Sequence, residues 1–145
     1  MPKRVVDGIV SETLRRPLWC VAAPSLDRMG ARSELLSLLS ERGRDVALLD
    51  TRAGAATALA NGQARFRSVT DACDRMGVSP SDAVLVCGDP ATDVRDFAPD
   101  GARVVVVNPH ARPVRGTIAL HRVDELRGLF EQTYRYQAGS TYHEV

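Results

Sequence analysis

The sequence lacks the charge excess and the long apolar runs that would tie it to a nucleic acid or a membrane. Its 19 basic and 18 acidic side chains give a formal net charge of +1, and arginine, which dominates the basic set, is spread along the chain. Nucleic-acid binding would need a basic patch. No apolar run approaches the ~20 residues of a membrane helix. We therefore expect neither a nucleic-acid nor a membrane partner.

The chain is also poor in cysteine. It has three, Cys20, Cys73 and Cys87, with no Cys-x-x-Cys pair and no spacing that suits a zinc site. The start, MPKRVVDGIVSETLRRP, is too polar for a signal peptide, so we expect a cytoplasmic protein. Because the cysteine count is odd and this compartment is reducing, we expect small buried side chains and no disulfide.

Length and composition indicate one soluble domain. The 145 residues are 44% hydrophobic and 26% charged, which is ordinary for a globular chain. We interpret residues 1–17 as an amino-terminal extension with a small helix, and residues 138–145 as a flexible tail.

Strand and helix patterns alternate along the chain. Helical spacing of apolar residues predicts helices at 30–43, 64–77 and 123–137, and apolar runs predict five strands at 18–23, 45–50, 82–88, 102–108 and 117–122. Near-continuous valine and leucine runs are typical of strands covered on both faces. The sequence therefore predicts an α/β, Rossmann-like three-layer sandwich with a mainly parallel five-stranded sheet. Trp19 is most simply a core residue.

Ligands of such sheets bind beyond the carboxyl ends of the strands, so the polar residues that follow the strands are candidates for a site. No acid follows the first strand directly. The candidates, in strand order, are Ala23 and Ser25; Asp50, Thr51 and Arg52; Asp89 and Asp93; and Asn108.

The segment NGQARFRSVTDACDRMGVSPSDAVLVCGDPATDVRDF, residues 61–97, resembles the carboxyl-terminal half of a haloacid dehalogenase (HAD) superfamily phosphatase. It is most similar to the sugar-phosphate branch, such as sucrose-phosphate phosphatase. That branch has Lys-Gly-Gln-Ala, a helix, an apolar strand, and Gly-Asp with a second Asp four residues later. The segment GARVVVVNPHARPVRG is similar to the family's next strand and its Asn-containing loop. In topology the resemblance extends from Leu18 to Tyr136.

The resemblance implies a defined set of catalytic groups. An aspartate after the first strand attacks phosphorus, and a second aspartate two residues on is the acid and base. A Ser or Thr and a lysine neutralise the phosphate oxygens, while acids after the third strand hold Mg²⁺. In this chain those positions fall on Ala23, Ser25, Asp50 or Thr51, and Asn61, and only Asp89 and Asp93 remain. An alignment with Asp27 or Asp7 as nucleophile stays open.

Each surviving candidate has an alternative interpretation. Asp89 and Asp93 could hold Mg²⁺ weakly, or Asp89 could cap its loop while Thr92 or Asp93 N-caps a short helix. Asp50, Thr51 and Arg52 could bind a polar ligand, or one of the first two could cap a helix with Arg52 paired to Asp89. His110, Arg112 and Arg115 could bind an anion or form a solvated loop.

The resemblance therefore implies a capless, HAD-like domain without a working phosphatase centre, because only residues 53–60 stand where that branch inserts its cap. We expect a non-catalytic scaffold or regulatory domain that binds a protein partner or a second copy of itself and needs no cofactor. One alternative is a Mg²⁺-dependent phosphohydrolase that acts on a small phosphate ester. Another is a module that binds a sugar phosphate or nucleotide through Arg52, Arg112 and Arg115.

Overall fold

Six parallel strands form one sheet in the order β3–β2–β1–β4–β5–β6. The computed structural model describes residues 2–50, 65–98, 102–114 and 116–132, with side chains from Gly8 onward. The predicted tail lies outside these ranges. The strands are β1 (Leu18–Ala22), β2 (Asp45–Leu49), β3 (Arg65–Phe66), β4 (Ala83–Cys87), β5 (Arg103–Val107) and β6 (Thr117–Leu120).

Helices cover both faces of the sheet. They are α1 (Pro2–Arg15), α2 (Ala23–Arg28), α3 (Arg32–Glu41), α4 (Val69–Met76), α5 (Pro90–Phe97) and α6, which is described over 123–132; a 3-10 turn spans Pro80–Asp82. Side chains alternate across the sheet, so Trp19 and Val21 pack with α1, α2, α3 and α6, while Leu18 and Cys20 pack with α4 and α5. This arrangement confirms the predicted α/β, Rossmann-like fold.

The strand count is a correction, because the sheet has six strands instead of the predicted five. The additional strand, β3, comprises only Arg65 and Phe66, which the sequence pattern had placed in the helix predicted at 64–77. They pair with Leu48 and Leu49, and the Asp50 amide donates to the Phe66 carbonyl at 3.0 Å. Such a short strand has no periodicity of its own and forms only because a neighbouring strand is present.

Helix α4 begins later than predicted because Ser68 caps it. The Ser68 hydroxyl accepts from the Asp71 amide, and Gly77, at a φ of 67°, ends the helix in the left-handed conformation that suits glycine. Its buried face carries Val69, Ala72 and Cys73, as the helical spacing predicts.

Helix α1 packs against the rest of the domain near the amino ends of the strands. Trp19 is fully buried, its indole Nε1 donates to the Arg16 carbonyl at 2.9 Å, and its ring centroid lies 5.6 Å from that of Phe130. Arg44 donates from Nε to the Leu14 carbonyl at 3.1 Å and lies 5.4 Å from the Phe130 centroid. These contacts link α1 to β1 and α6 and confirm Trp19 as a core residue. None of the described helices is long and apolar enough to span a membrane.

Candidate functional site

The strand order places one crevice at the carboxyl edge of the sheet, between β1 and β4. The chain leaves β1 toward β2 and β3 and then returns to β4 on the other side, so the crossovers diverge at this point. In open α/β sheets this is where ligands bind. The crevice brings together Ala23 and Ser25 of α2 with Gly88, Asp89 and Asp93 of the β4–α5 connection, residues that are up to 70 positions apart in the chain.

Strand β1 leads directly into α2. Ala23, predicted as the last residue of the first strand, is instead the first residue of the helix, and it is only 3% exposed. Pro24 lies in the first turn, where its missing N–H costs nothing. The first glycine after β1 is Gly30. This connection therefore lacks the glycine-rich turn with which nucleotide-binding sheets hold phosphate groups.

Ser25 and Asp93 form a short buried hydrogen bond in the crevice. The Ser25 hydroxyl donates to Asp93 Oδ2 at 2.6 Å and accepts from the Gly88 amide at 3.0 Å. The Ala22 carbonyl is farther from the hydroxyl, at 3.4 Å, so the single hydroxyl proton goes to the carboxylate. The Asp89 amide also donates to Asp93 Oδ2, at 3.2 Å. Protein donors therefore occupy this carboxylate oxygen, and Asp93 is 5% exposed.

Asp89 is the N-cap of α5. Its Oδ1 accepts from the Thr92 amide at 3.5 Å, while Pro90 occupies the first turn. The predicted cap on Thr92 or Asp93 is therefore wrong, because both residues lie inside the first turn of the helix. Across the described ranges, no group of three or more His, Cys, Asp or Glu side chains is arranged to hold a metal ion.

Gly88 lies where two side chains approach the backbone. A Cβ placed on it would lie 2.9 Å from both Sδ and Cε of Met29 and 3.3 Å from Cβ of Ser25. The thioether of Met29 thus packs over the turn that follows β4. Because a methionine side chain is flexible, this cover can move without any change in the backbone.

Asn108 joins the connections that follow β4 and β5. Its Nδ2 donates to the Gly88 carbonyl at 2.8 Å, and its Oδ1 accepts from the His110 amide at 2.8 Å. Both ends of this candidate side chain therefore bind protein atoms. Arg112 is exposed in the segment between β5 and β6.

Asp50 is buried at the end of β2, with 6% exposure, and its Oδ2 lies 3.6 Å from Arg65 Nη1. Sequence reasoning missed Arg65 because the segment was interpreted as helix; a strand beside β2 places it next to Asp50. The remaining predicted candidates, Thr51, Arg52, Asn61 and Arg115, lie outside the residues that the structure describes.

Cys87, directly before Gly88, carries no reactive thiolate at neutral pH. Burial raises the pKa of its thiol to about 12, and the charges of Asp93 and Asp89 add to the effect. Burial likewise raises the pKa of Cys20 to about 12, with a contribution from Cys73. All three thiols are free and buried, as the sequence predicts. A thiol nucleophile at this edge of the sheet is therefore disfavoured.

These thiols predict a loss of stability in alkaline solution. Because both pKa values rise from 9.0 to about 12 on folding, the native state keeps protons that the unfolded state releases, so stability is full below pH 9 and falls as the pH rises toward 12. Each thiol contributes a slope of up to about 1.4 kcal/mol per pH unit. Urea unfolding at pH 8 and pH 10 should show a smaller difference for Cys87→Ala than for the wild type. Equal differences would contradict the burial of this thiol.

The chain matches no protein-family model, no curated protein and no solved structure. The crevice contains the methyl group of Ala23, the Ser25 hydroxyl that donates to the Asp93 carboxylate, and the Asp89 carboxylate that caps α5.

Proposed function

We propose that the chain is a non-catalytic, HAD-like domain that acts as a binding scaffold for a protein partner or a second copy of itself. The observation that best supports this function is the 2.6 Å hydrogen bond from Ser25 to Asp93. In this bond the Asp93 carboxylate accepts a proton donor of the protein itself. In a phosphatase of this type, the corresponding carboxylate would bind a metal ion.

The groups for phosphoryl transfer are missing at the first strand. The buried methyl group of Ala23 cannot attack phosphorus or ligate a cation, whereas the family's mechanism needs a carboxylate nucleophile there. A serine hydroxyl at position 25 is too weak an acid to replace a carboxyl group in proton transfer. Both losses remove steps of the reaction.

Magnesium would find few oxygen ligands in this crevice. Mg²⁺ requires a nearly octahedral set of oxygen atoms, and among the described residues of the crevice between β1 and β4 the carboxylates are those of Asp89 and Asp93. One Asp93 oxygen already accepts two hydrogen bonds, and Asp89 caps α5. A cation would have to break these contacts before it could bind, so we expect only weak Mg²⁺ binding.

The phosphate-binding side of the crevice is also altered. The family has a Ser or Thr after the second strand, and Asp50 stands at or next to this position, where its charge would repel an anionic substrate. Arg65 offsets part of that charge at 3.6 Å and leaves an ion pair in place of a free anion-binding group.

A displaced nucleophile is the main competing hypothesis. Asp27 is the acid nearest to the end of β1, but its Oδ1 pairs with Arg32 Nε at 3.0 Å and its side chain is 47% exposed. A carboxylate held by a surface arginine is poorly placed for the buried crevice. The side chain of Asp7 lies outside the described set.

A phosphatase assay separates these hypotheses. With p-nitrophenyl phosphate or a hexose phosphate, we expect the wild-type rate to equal that of buffer, with or without Mg²⁺. The matched variants Asp27→Asn and Asp89→Asn should give the same rate. A Mg²⁺-dependent turnover that either variant abolishes would overturn the non-catalytic proposal.

The scaffold part of the proposal has its own test. Light scattering coupled to size exclusion, over a wide range of protein concentration, should show a second copy bound if the partner is the chain itself. A constant monomer mass would contradict the hypothesis that the partner is a second copy of the chain. The proposed partner would then have to be a different protein.

A further inference from the structure

A groove of about 220 Å³ lies beside the crevice, on the face of the sheet that carries α3 and α6. The α2–α3 connection and α3 contribute one wall, the residues that begin α6 contribute another, and the end of β5 contributes the base. Its lining includes Met29, Ala31, Glu34, Val107, Arg122 and Asp124. Met29 separates the groove from Gly88, since its thioether packs over that glycine.

The lining combines an apolar base with charges of both signs. Glu34 lies on the α3 wall, whereas Arg122 and Asp124 lie on the α6 wall. None of these three forms an ion pair with another residue in the described ranges. His121 also lines the groove, but its Nε2 lies 3.2 Å from the Ala111 carbonyl and its Nδ1 3.7 Å from Glu125 Oε1. Glu41 and, to a smaller extent, Asp124 raise the pKa of the Arg127 guanidinium, so Asp124 has a charged neighbour; within the described ranges, Glu34 and Arg122 are the groove charges without one.

The volume limits what the groove can hold. The groove measures about 220 Å³. Pockets for drug-sized ligands or cofactors start at about 300 Å³, so a nucleotide or sugar phosphate would extend beyond this groove. A molecule of the size of a free amino acid fits.

The charges limit the ligand further. With two carboxylates and one guanidinium, the groove disfavours a phosphate ester or another pure anion. An ion with both signs can pair with each type of group, and an apolar side chain can cover Met29 and Ala31, which are half-buried in the lining.

We propose that this groove binds a free α-amino acid with an apolar side chain. Glu34 receives the ammonium group, Arg122 pairs with the carboxylate, and Met29 and Ala31 contact the side chain. The site is separate from the Ser25–Asp93 pair, so it stands whether or not the chain hydrolyses phosphate esters. With this groove, the domain would bind a small molecule at a place other than the crevice.

Calorimetric titration of the full chain with L-leucine tests the proposal. We expect saturable binding, with at least tenfold weaker binding of 4-methylpentanoate, which lacks the ammonium group, and of isoamylamine, which lacks the carboxylate. Glu34→Gln and Arg122→Gln should each weaken leucine binding by about three- to tenfold, because both side chains are partly in water. The controls Asp74→Asn and Arg95→Gln, exposed on α4 and α5 at the other face, should leave it unchanged.

Each other result contradicts the proposal. Absence of saturable binding up to the solubility limit of leucine would remove the site. Equal binding of isoamylamine would show a site for cations and not for amino acids. Unchanged affinity in both groove variants would place the ligand elsewhere. None of these results bears on phosphatase activity, so the failure of this proposal is distinguishable from the failure of the non-catalytic one.

Discussion

Replacing Trp19 with alanine should lower the free energy of unfolding by about 3–5 kcal/mol, the usual cost of removing a large buried aromatic side chain. The side chain is fully buried, contacts Phe130 and donates a hydrogen bond to the Arg16 carbonyl. Its removal would weaken the packing of both α1 and α6 against β1. Because domains are stable by only about 5–15 kcal/mol, the variant should melt on the order of 10 °C lower.

Circular dichroism in a thermal or urea titration measures this effect, since the variant has no tryptophan to report by fluorescence. Trp19→Phe keeps an aromatic ring but loses the indole N–H and part of the buried ring volume, so it should cost more than the about 1 kcal/mol of the hydrogen bond alone and less than Trp19→Ala. Met76→Ala, at a position that is 38% exposed on α4, should cost less than Trp19→Ala by a wide margin. A loss below 1 kcal/mol for Trp19→Ala would show that this side chain does not anchor α1.

Ser25→Ala should cost about 1–3 kcal/mol, because it removes the hydroxyl that donates to Asp93 and leaves a buried carboxylate with a single amide donor. The substitution removes one oxygen atom and creates no steric conflict, so the loss is attributable to the hydrogen bonds. A double-mutant cycle with Asp93→Ala should give a coupling energy of about 1.5–3 kcal/mol, the range for hydrogen bonds to charged groups.

The matched control is Ser37→Ala, the same chemical change at an exposed position on α3. It should alter the stability by no more than about 0.5 kcal/mol. A coupling energy near zero between positions 25 and 93 would show that Ser25 does not hold the Asp93 carboxylate, and that carboxylate would then be open to a cation.

The fold was largely predictable from the sequence because its strands carry strong local signals. The valine-rich runs around Val84 and Val105 are buried on both faces, and such runs have few alternatives to a parallel sheet. Gly77 ends α4 as its residue type predicts, since glycine adopts a positive φ without strain. Strand β3 was not predictable, because two residues have no period and their pairing depends on β2.

The position of the site at the edge of the sheet was predictable from the sequence, but the contacts between its side chains were not. The residues that follow β1 and β4 meet because parallel strands end at one edge, which the sequence pattern indicates. The Ser25–Asp93 hydrogen bond joins residues 68 positions apart. No local sequence pattern predicts that these two side chains bind each other. Arg65 reaches Asp50 only through β3, and the groove depends on how far apart α3 and α6 pack. These features belong to tertiary structure.

Trapping with beryllium fluoride, which mimics a phosphoryl group on an aspartate, tests the absence of a nucleophile most directly. With the full chain, Mg²⁺ and fluoride, ¹⁹F NMR should show only the free fluoroberyllate signals, as in buffer without protein. A slowly exchanging bound signal that disappears in Asp27→Asn or Asp7→Asn would show that the chain has a phosphate-accepting carboxylate, and the non-catalytic proposal would be wrong.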